Sequence, residues 1–303
     1  MTKTLISIVG PTAIGKTALS IKLAQYFNTQ IISADSRQFY KEMNIGTAVP
    51  SEEELNAAPH HFIQHKSIKE QYSVGDFERD FISKIEDLHQ KKPIVILVGG
   101  SGLYVKAVTK GLDYFPEVDD KIRAQLNKKF ADEGLIPLQN QLESLDPVAY
   151  KSIAIDNPQR VIRALEICIG TNQPYSSYLT NSEKERAFKT ISIGLDADRS
   201  IIYDRINERV DLMIKNGLLE EVKTLLPSKD LNALNTVGYK ELFAHFEGNT
   251  TLEFAISEIK KNTRRFAKRQ LTWFRKDKSI KWFDYERDVE TIIQYIEAHI
   301  KNS

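Results

Sequence analysis

Gly10-Pro11-Thr12-Ala13-Ile14-Gly15-Lys16-Thr17 fits the pattern G-x-x-x-x-G-K-[ST] at every fixed position. It lies between Thr4-Leu5-Ile6-Ser7-Ile8-Val9, which reads as a buried strand, and Lys16 to Phe27, which reads as an amphipathic helix. In that setting backbone N–H groups curl around phosphate oxygens, and the helix N-terminus adds the positive end of its dipole. Lys16 is placed to bridge the terminal oxygens, and Thr17 to set its hydroxyl on Mg2+. The stretch predicts a site for a di- or triphosphate without saying whose.

Outward from this loop, strand-like and helix-like stretches alternate. Gln30-Ile31-Ile32-Ser33 reads as a second strand, Gly75 to Gln90 as a long helix, and Pro93 to Val98 as a third strand of aliphatic residues. Continuously apolar strands separated by helices predict a parallel sheet covered on both faces, so the fold class is α/β with a P-loop NTPase-like core. From about Tyr114 the pattern becomes helix after helix: Asp119 to Phe130, Leu135 to Leu145, and Pro158 to Ile169 with Asn157 as its N-cap. Phe188 to Leu195 returns to strand. Helices over Arg199 to Asn216, Leu218 to Leu226 and Thr251 to Lys276 follow, then a short strand at Lys281 to Phe283 and a helix from Val289. The expected organisation of the 303 residues is one core, 1–113 with 186–303, interrupted by a mobile helical insertion at 114–185.

A P-loop ATPase also needs an acid at the end of an aliphatic strand to support Mg2+. The strand Ile94 to Val98 instead runs into Gly99-Gly100-Ser101-Gly102, which offers backbone donors and one hydroxyl. The acid comes after the second strand, in Ser33-Ala34-Asp35-Ser36-Arg37-Gln38. Asp35 can be a turn acid or a site residue, and its place at the carboxyl end of a parallel strand favours the site. A motor or switch ATPase is disfavoured and a small group-transfer enzyme favoured.

The formal net charge of +1 hides segregation, because Lys260 to Lys281 holds ten Lys and Arg against the single acid Asp277. On a helix, Arg264, Arg265, Lys268, Arg269, Thr272, Arg275 and Lys276 share an arc of about 140°. Phe266, Ala267, Gln270, Leu271, Trp273 and Phe274 fill the opposite side. The basic face has no acid at i±4, so its cations repel one another unless an anion neutralises them. Nucleic-acid phosphates would do so; a solvated face and a membrane surface are the competing readings.

Cys168, the one cysteine, excludes an internal disulfide and reads as a buried thiol. The apolar run Leu5 to Val9 is too short for a signal peptide, so the expected location is cytoplasmic, without membrane attachment. His60, His61 and His65 have no acid or thiol at metal spacing and are expected in a structural loop. Nothing in the pattern demands assembly, and a monomer is expected.

With these pieces in place the chain resembles the bacterial tRNA dimethylallyltransferases, the isopentenyl-diphosphate:tRNA transferases, over nearly its whole length. The resemblance rests on Gly10 to Ala13 with Gly15-Lys16-Thr17, Ile32 to Gln38 with Tyr40-Lys41, Met43, and Ile45-Gly46-Thr47-Ala48. It continues with His60-His61, Tyr72-Ser73-Val74, Gly99-Gly100 with Gly102-Leu103-Tyr104, and Asn157-Pro158 with Arg160 to Glu166. Gly238-Tyr239 and Thr263-Arg264 with Ala267 to Trp273 complete it.

The resemblance implies transfer of a dimethylallyl group from dimethylallyl diphosphate to N6 of the tRNA adenosine 3′ of the anticodon, with diphosphate released. It implies that Asp35 takes the amine proton and that Lys16, Arg209 and Mg2+ at Thr17 stabilise the leaving group. Ser101 stands where the family usually has Thr, and would contact the bridging oxygen or the target nucleotide. Gln64 stands where an acid is usual. The target base is implied to flip out of the anticodon loop and to be read by Asp35, Ser36, Arg37 and Gln38. Arg123 and Gln159-Arg160-Val161-Ile162-Arg163 are implied to touch the tRNA from the insertion. Thr236-Val237-Gly238-Tyr239-Lys240 and Lys268, Arg269 and Arg275 are further RNA candidates. A transferase that prenylates free adenine nucleotides, a kinase using ATP at the same loop and a non-catalytic RNA-binding protein remain the alternatives.

Overall fold

The computed structural model describes residues 2–180 and 183–301. Six strands form one sheet: β1 (Thr4–Val9), β2 (Ile31–Ser33), β3 (His60–His61), β4 (Ile94–Val98), β5 (Lys189–Asp196) and β6 (Lys281–Asp284). Their order is β3-β2-β4-β1-β5-β6 and every pairing is parallel. All carboxyl ends therefore lie on one edge, where an open α/β sheet binds its ligands.

The helices are α1 (Lys16–Tyr26), α2 (Glu52–Ala57), α3 (Val74–His89), α4 (Gly102–Lys110), α5 (Asp120–Glu133), α6 (Ile136–Leu145), α7 (Pro147–Ser152) and α8 (Pro158–Thr171). After β5 come α9 (Arg199–Lys215), α10 (Leu218–Leu225), α11 (Tyr239–Phe246), α12 (Leu252–Phe274) and, last, α13 (Val289–Lys301). The strands β1, β2, β4 and β5 fall within a residue or two of the expected segments. Strand β3 and helices α2, α4, α7 and α11 are additions. Helix α2 carries the S-x-x-E signature of a capping box, Ser51 with Glu54, but no apolar periodicity marks so short a helix.

Alternation along the central strands explains why both faces are covered. Ile6 and Ile8 of β1 pack with Ile96, Ile193, Leu23, Ile206 and Ile296, joining α1, α9 and α13 on one face. Leu5 and Val9 pack with Val95, Leu97, Phe77, Phe81 and Phe274 on the other. A third core joins Tyr40 and Met43 to α9–α12 through Val222, Leu234, Tyr239 and Ile259. Helix α12 takes part in all three: Ile259 in the third, Ala267 in the first and Phe274 in the second.

The described residues form two compact units. One runs to Lys110 and resumes at Glu185; the other is Gly111–Lys184. The helical unit has its own core of Leu126, Leu138, Leu142, Val161, Ile162 and Leu165. Asn157 caps α8 by accepting from the N–H groups of Gln159 and Arg160. The buried Glu166 carboxylate is held by Arg163 at 3.0 Å and Arg123 at 3.3 Å, and Arg163 also lies over the Phe115 ring. Cys168 is buried and accepts the Tyr175 N–H.

Glu221 organises the chain between β2 and β3. Its carboxylate accepts the N–H groups of Asn44, Ile45 and Gly46 at 2.7–3.0 Å and the Tyr239 hydroxyl at 2.7 Å. Gly46 lies flat on the Tyr239 ring, which a Cβ would meet at 2.6 Å. Replacing Glu221 with Ala leaves these donors without their charged acceptor and is expected to cost about 2–4 kcal/mol, read from urea unfolding. A loss under about 0.5 kcal/mol would contradict this role.

Candidate active site at the carboxyl edge of the sheet

Three loops converge beyond β1, β2 and β4. The phosphate loop follows β1. Gly10 has φ +142°, and a Cβ there would lie 2.6 Å from the Leu195 carbonyl oxygen, so the turn requires glycine. Ala13 sits at φ 65°, a strained position for an L-residue of the kind found where backbone is shaped for a ligand. The loops after β2 and β4 nearly touch, because Gly99 leaves no room for a Cβ against the Ala34 backbone at 2.7 Å. Ser101 Oγ accepts the Ser36 N–H and donates to Ser36 Oγ, both at 3.1 Å. Asp35 is half-buried beside this pair, and its Oδ1 accepts the Arg37 N–H at 3.0 Å. Asp35 is thus a turn acid whose charge is also felt by Lys16 of the phosphate loop.

The loop concentrates positive charge. The Lys16 ammonium donates to the Pro11 carbonyl at 2.7 Å. Burial, then the Arg209 charge, push its pKa down to about 7, against the pull of Asp35. Burial and the neighbouring Arg205 likewise work against the charge on Arg209, whose Nη1 reaches Thr12 Oγ1 at 3.4 Å. Arg205 donates to the Ala13 carbonyl at 2.7 Å and lies over the Tyr285 ring. A dianion placed beside Lys16 and Arg209 favours the charged form of both. The family resemblance singles out Arg209 and not Arg205, although i,i+4 spacing on α9 puts the two on one face.

Gln270 of α12 also enters the loop. Only 6 % exposed, it accepts the Thr12 N–H at 2.8 Å and donates to the Gly100 carbonyl at 2.9 Å. Sequence reasoning had placed it on an apolar face, where a lone amide was the available signal.

The other expected site residues separate into engaged, buried and accessible groups. Arg37 spends its guanidinium on the carbonyls of Asn232, Ala233 and Asn235, tying β2 to the segment that holds Thr236, Val237, Gly238, Tyr239 and Lys240. Gln38 donates to the Thr47 and Ala48 carbonyls. Val161, Ile162 and Tyr239 are fully buried, so their side chains serve cores and the expectation that they touch RNA is corrected. Gln159, Arg160 and Lys240 are exposed, and Arg123 and Arg163 are partly exposed beside Glu166.

The basic face of α12 is narrower than its sequence suggests. Arg275 pairs with Asp196, and Arg264 donates to Asn207 Oδ1 at 2.8 Å over the Tyr203 ring. These partners come from β5 and α9, beyond the reach of an i±4 argument. Lys268 and Lys276 make no ion pair among the described residues. Phe266 and Trp273, on the side opposite the cations, are each 39 % exposed, and Trp273 lies over Gly102. The three histidines are structural in position: His60 and His61 form β3, and His65 sits among Phe39, Phe62 and Tyr72.

Among the described residues no cluster of three His, Cys, Asp or Glu side chains is arranged to hold a metal. No helix there is long and apolar enough to cross a membrane. The Thr17 hydroxyl, half-exposed at the first turn of α1, makes no hydrogen bond to another described residue. One hydroxyl with diphosphate oxygens and waters suits Mg2+, which commonly takes few protein ligands.

Comparison with known proteins agrees with this architecture. Residues 38–277 match the family model described as IPP transferase. The chain is 63% identical over 300 residues to the tRNA dimethylallyltransferase of Christiangramia forsetii, covering 99% of both chains. It is 59% identical over 307 residues to that of Flavobacterium johnsoniae, again covering 99% of each. The tRNA isopentenylpyrophosphate transferase of Bacillus halodurans superposes with a TM-score of 0.72 at 40% identity, over 99% of this chain and 96% of that one. A eukaryotic dimethylallyltransferase captured acting on tRNA gives a TM-score of 0.82 at 27% identity, over 99% of this chain and 80% of that one. The chain belongs to the IPP transferase family.

Proposed function

We propose that this protein transfers the dimethylallyl group of dimethylallyl diphosphate to N6 of the adenosine immediately 3′ of the anticodon in tRNA, releasing diphosphate. The observation that carries the proposal is the meeting of a cationic phosphate loop with one carboxylate, Asp35, at the carboxyl edge of a parallel sheet. No acid follows β4, where a hydrolysing P-loop enzyme keeps its Mg2+-supporting carboxylate.

The chemistry follows from the two reactants. The lone pair of an adenine amine is delocalised into the ring, so N6 attacks well only while a base removes its proton. Asp35 is that base: its Oδ1 accepts the Arg37 N–H, which leaves Oδ2 to take the proton. The N6–C1 bond forms as the C1–O bond breaks, and the electron pair leaves on the diphosphate. Lys16, Arg209 and the backbone of Gly10–Thr17 receive that growing charge, with Ser101 and Ser36 beside the acceptor. Mg2+ at the Thr17 hydroxyl supplies further charge neutralisation to the diphosphate when bound.

The accessible basic residues Arg160, Lys240, Lys268 and Arg269 are offered to tRNA phosphates, with Gln159, Arg123 and Arg163 as further contacts. Arg275 shares its charge with Asp196 and contributes less. The protein acts as a monomer on cytoplasmic tRNA. Purified protein, unmodified tRNA and dimethylallyl diphosphate should yield N6-dimethylallyladenosine in nucleoside mass spectrometry. No product where a control enzyme makes it, or transfer of label from γ-labelled ATP to a small molecule, would reject the reading.

Asp35→Asn keeps the turn bond and removes the base, so kcat should fall about 100- to 10,000-fold while tRNA affinity stays within a few-fold. Parallel losses in both would point to a binding role instead. Lys16 also makes diphosphate binding depend on pH. In the free site its pKa is about 7, and a bound diphosphate raises it, so binding takes up a proton above neutrality. Affinity for dimethylallyl diphosphate should then fall as pH rises from about 7.5 to about 9.5, and calorimetry in buffers of different ionisation enthalpy should register the uptake. Affinity that is flat with pH, with no buffer dependence, would contradict this.

A further inference from the structure

Helix α12 carries two functions on opposite sides. Outward it shows the exposed cation Lys268, which makes no ion pair among the described residues; inward, at Gln270, it reaches the phosphate loop. The inward contact has a specific geometry. The Thr12 N–H that Gln270 accepts and the Pro11 carbonyl that holds the Lys16 ammonium belong to one peptide group. The two bonds pull on opposite edges of a rigid plane, so the position of the Gln270 amide fixes where Lys16 is parked. The same amide donates to the Gly100 carbonyl of the loop that precedes Ser101. A Cβ on Gly100 would collide with Gln270 Nε2 and would come within 3.8 Å of Lys16 Nζ, so amide, loop and ammonium are packed together. Trp273, one turn further along α12, lies on Gly102 and secures the helix against the same loop. Thr12 and Gly100 follow β1 and β4, and no other side chain among those described bonds to both loops.

We infer that Gln270 is a positioning residue that couples the two substrates: RNA seated on the outer face of α12 sets, through the Gln270 amide, the Pro11–Thr12 peptide and the Lys16 ammonium for the diphosphate. This rests on the proposal that α12 binds tRNA and the loop binds diphosphate. Because α12 is one continuous helix, a load on its outer face at Lys268 is carried within one turn to the amide on its inner face. Linkage then requires reciprocity: diphosphate at the loop must tighten tRNA by the factor by which tRNA tightens diphosphate.

The test measures dissociation constants for inorganic diphosphate with and without saturating unmodified tRNA. In the wild type, tRNA should tighten diphosphate by at least about 5-fold. Gln270→Met keeps the volume and removes both hydrogen bonds; it should bring that factor to within about 2 while tRNA affinity alone changes little. Gly100→Ala displaces the amide without deleting it and should cause the same loss, which covers the case in which the methionine variant fails to fold. Steady-state kinetics should show the defect in KM for dimethylallyl diphosphate more than in kcat. A wild-type factor near 1, or an unchanged factor in both folded variants, overturns the inference. Absence of prenylated product with coupled binding intact would reject the proposed reaction and leave this coupling standing.

Discussion

The crevice at the carboxyl edge holds more positive charge than its surroundings can satisfy, and the rest of the site is arranged around that excess. Lys16 is pushed toward neutrality by burial and by Arg209, and Arg205 adds a third cation within the same wall. Asp35 offsets part of this charge, pulling against the burial of Lys16 and the Arg209 charge. Crowding half-buried cations together is unfavourable, and an anion bound among them offsets that cost. A leaving diphosphate gains negative charge as its bond breaks, and it is therefore bound more tightly in the transition state than in the substrate. A site of this kind accelerates departure of the group it binds.

Parallel pairing delivers the pieces to one place. Because β1, β2 and β4 run the same way, the phosphate loop, Asp35 and Ser101 emerge on a common edge although they are far apart in sequence. Glu221 and Arg37 then secure the flanking segments through backbone groups: one gathers three N–H donors, the other three carbonyls. Helix α12 closes the assembly, drawing the outer cations and the inner Gln270 into one rigid element.

What the sequence disclosed and what it withheld divide along the range of the forces involved. The strand, loop and helix around Gly10–Thr17 were legible because hydrophobic period and glycine spacing are local, and so was the Asn157 cap of α8. Arg275 with Asp196 and Arg37 with Asn232 were not, since each partner comes from an element brought near only by folding. Projecting α12 onto a helical wheel gave an inner side that holds for Ala267, Gln270 and Phe274 but not for Phe266 and Trp273, and a basic arc that folding narrows by engaging Arg264 and Arg275. The neighbours of α12 change along its length, so Gln270 is buried where Phe266 and Trp273 meet solvent. Val161, Ile162 and Tyr239 show the same limit: a motif that marks a family includes residues that build the fold as well as residues that touch the ligand.

The central claim is that the cationic crevice expels diphosphate while an adenine amine takes the prenyl group. The most direct measurement counts both products on one anticodon stem-loop, with adenosine or with purine riboside, which lacks the amine, at the target position. The account predicts one diphosphate released per dimethylallyl group found on N6 with adenosine, and neither product with purine. Diphosphate released at equal rates from both RNAs, without alkylation, would contradict it.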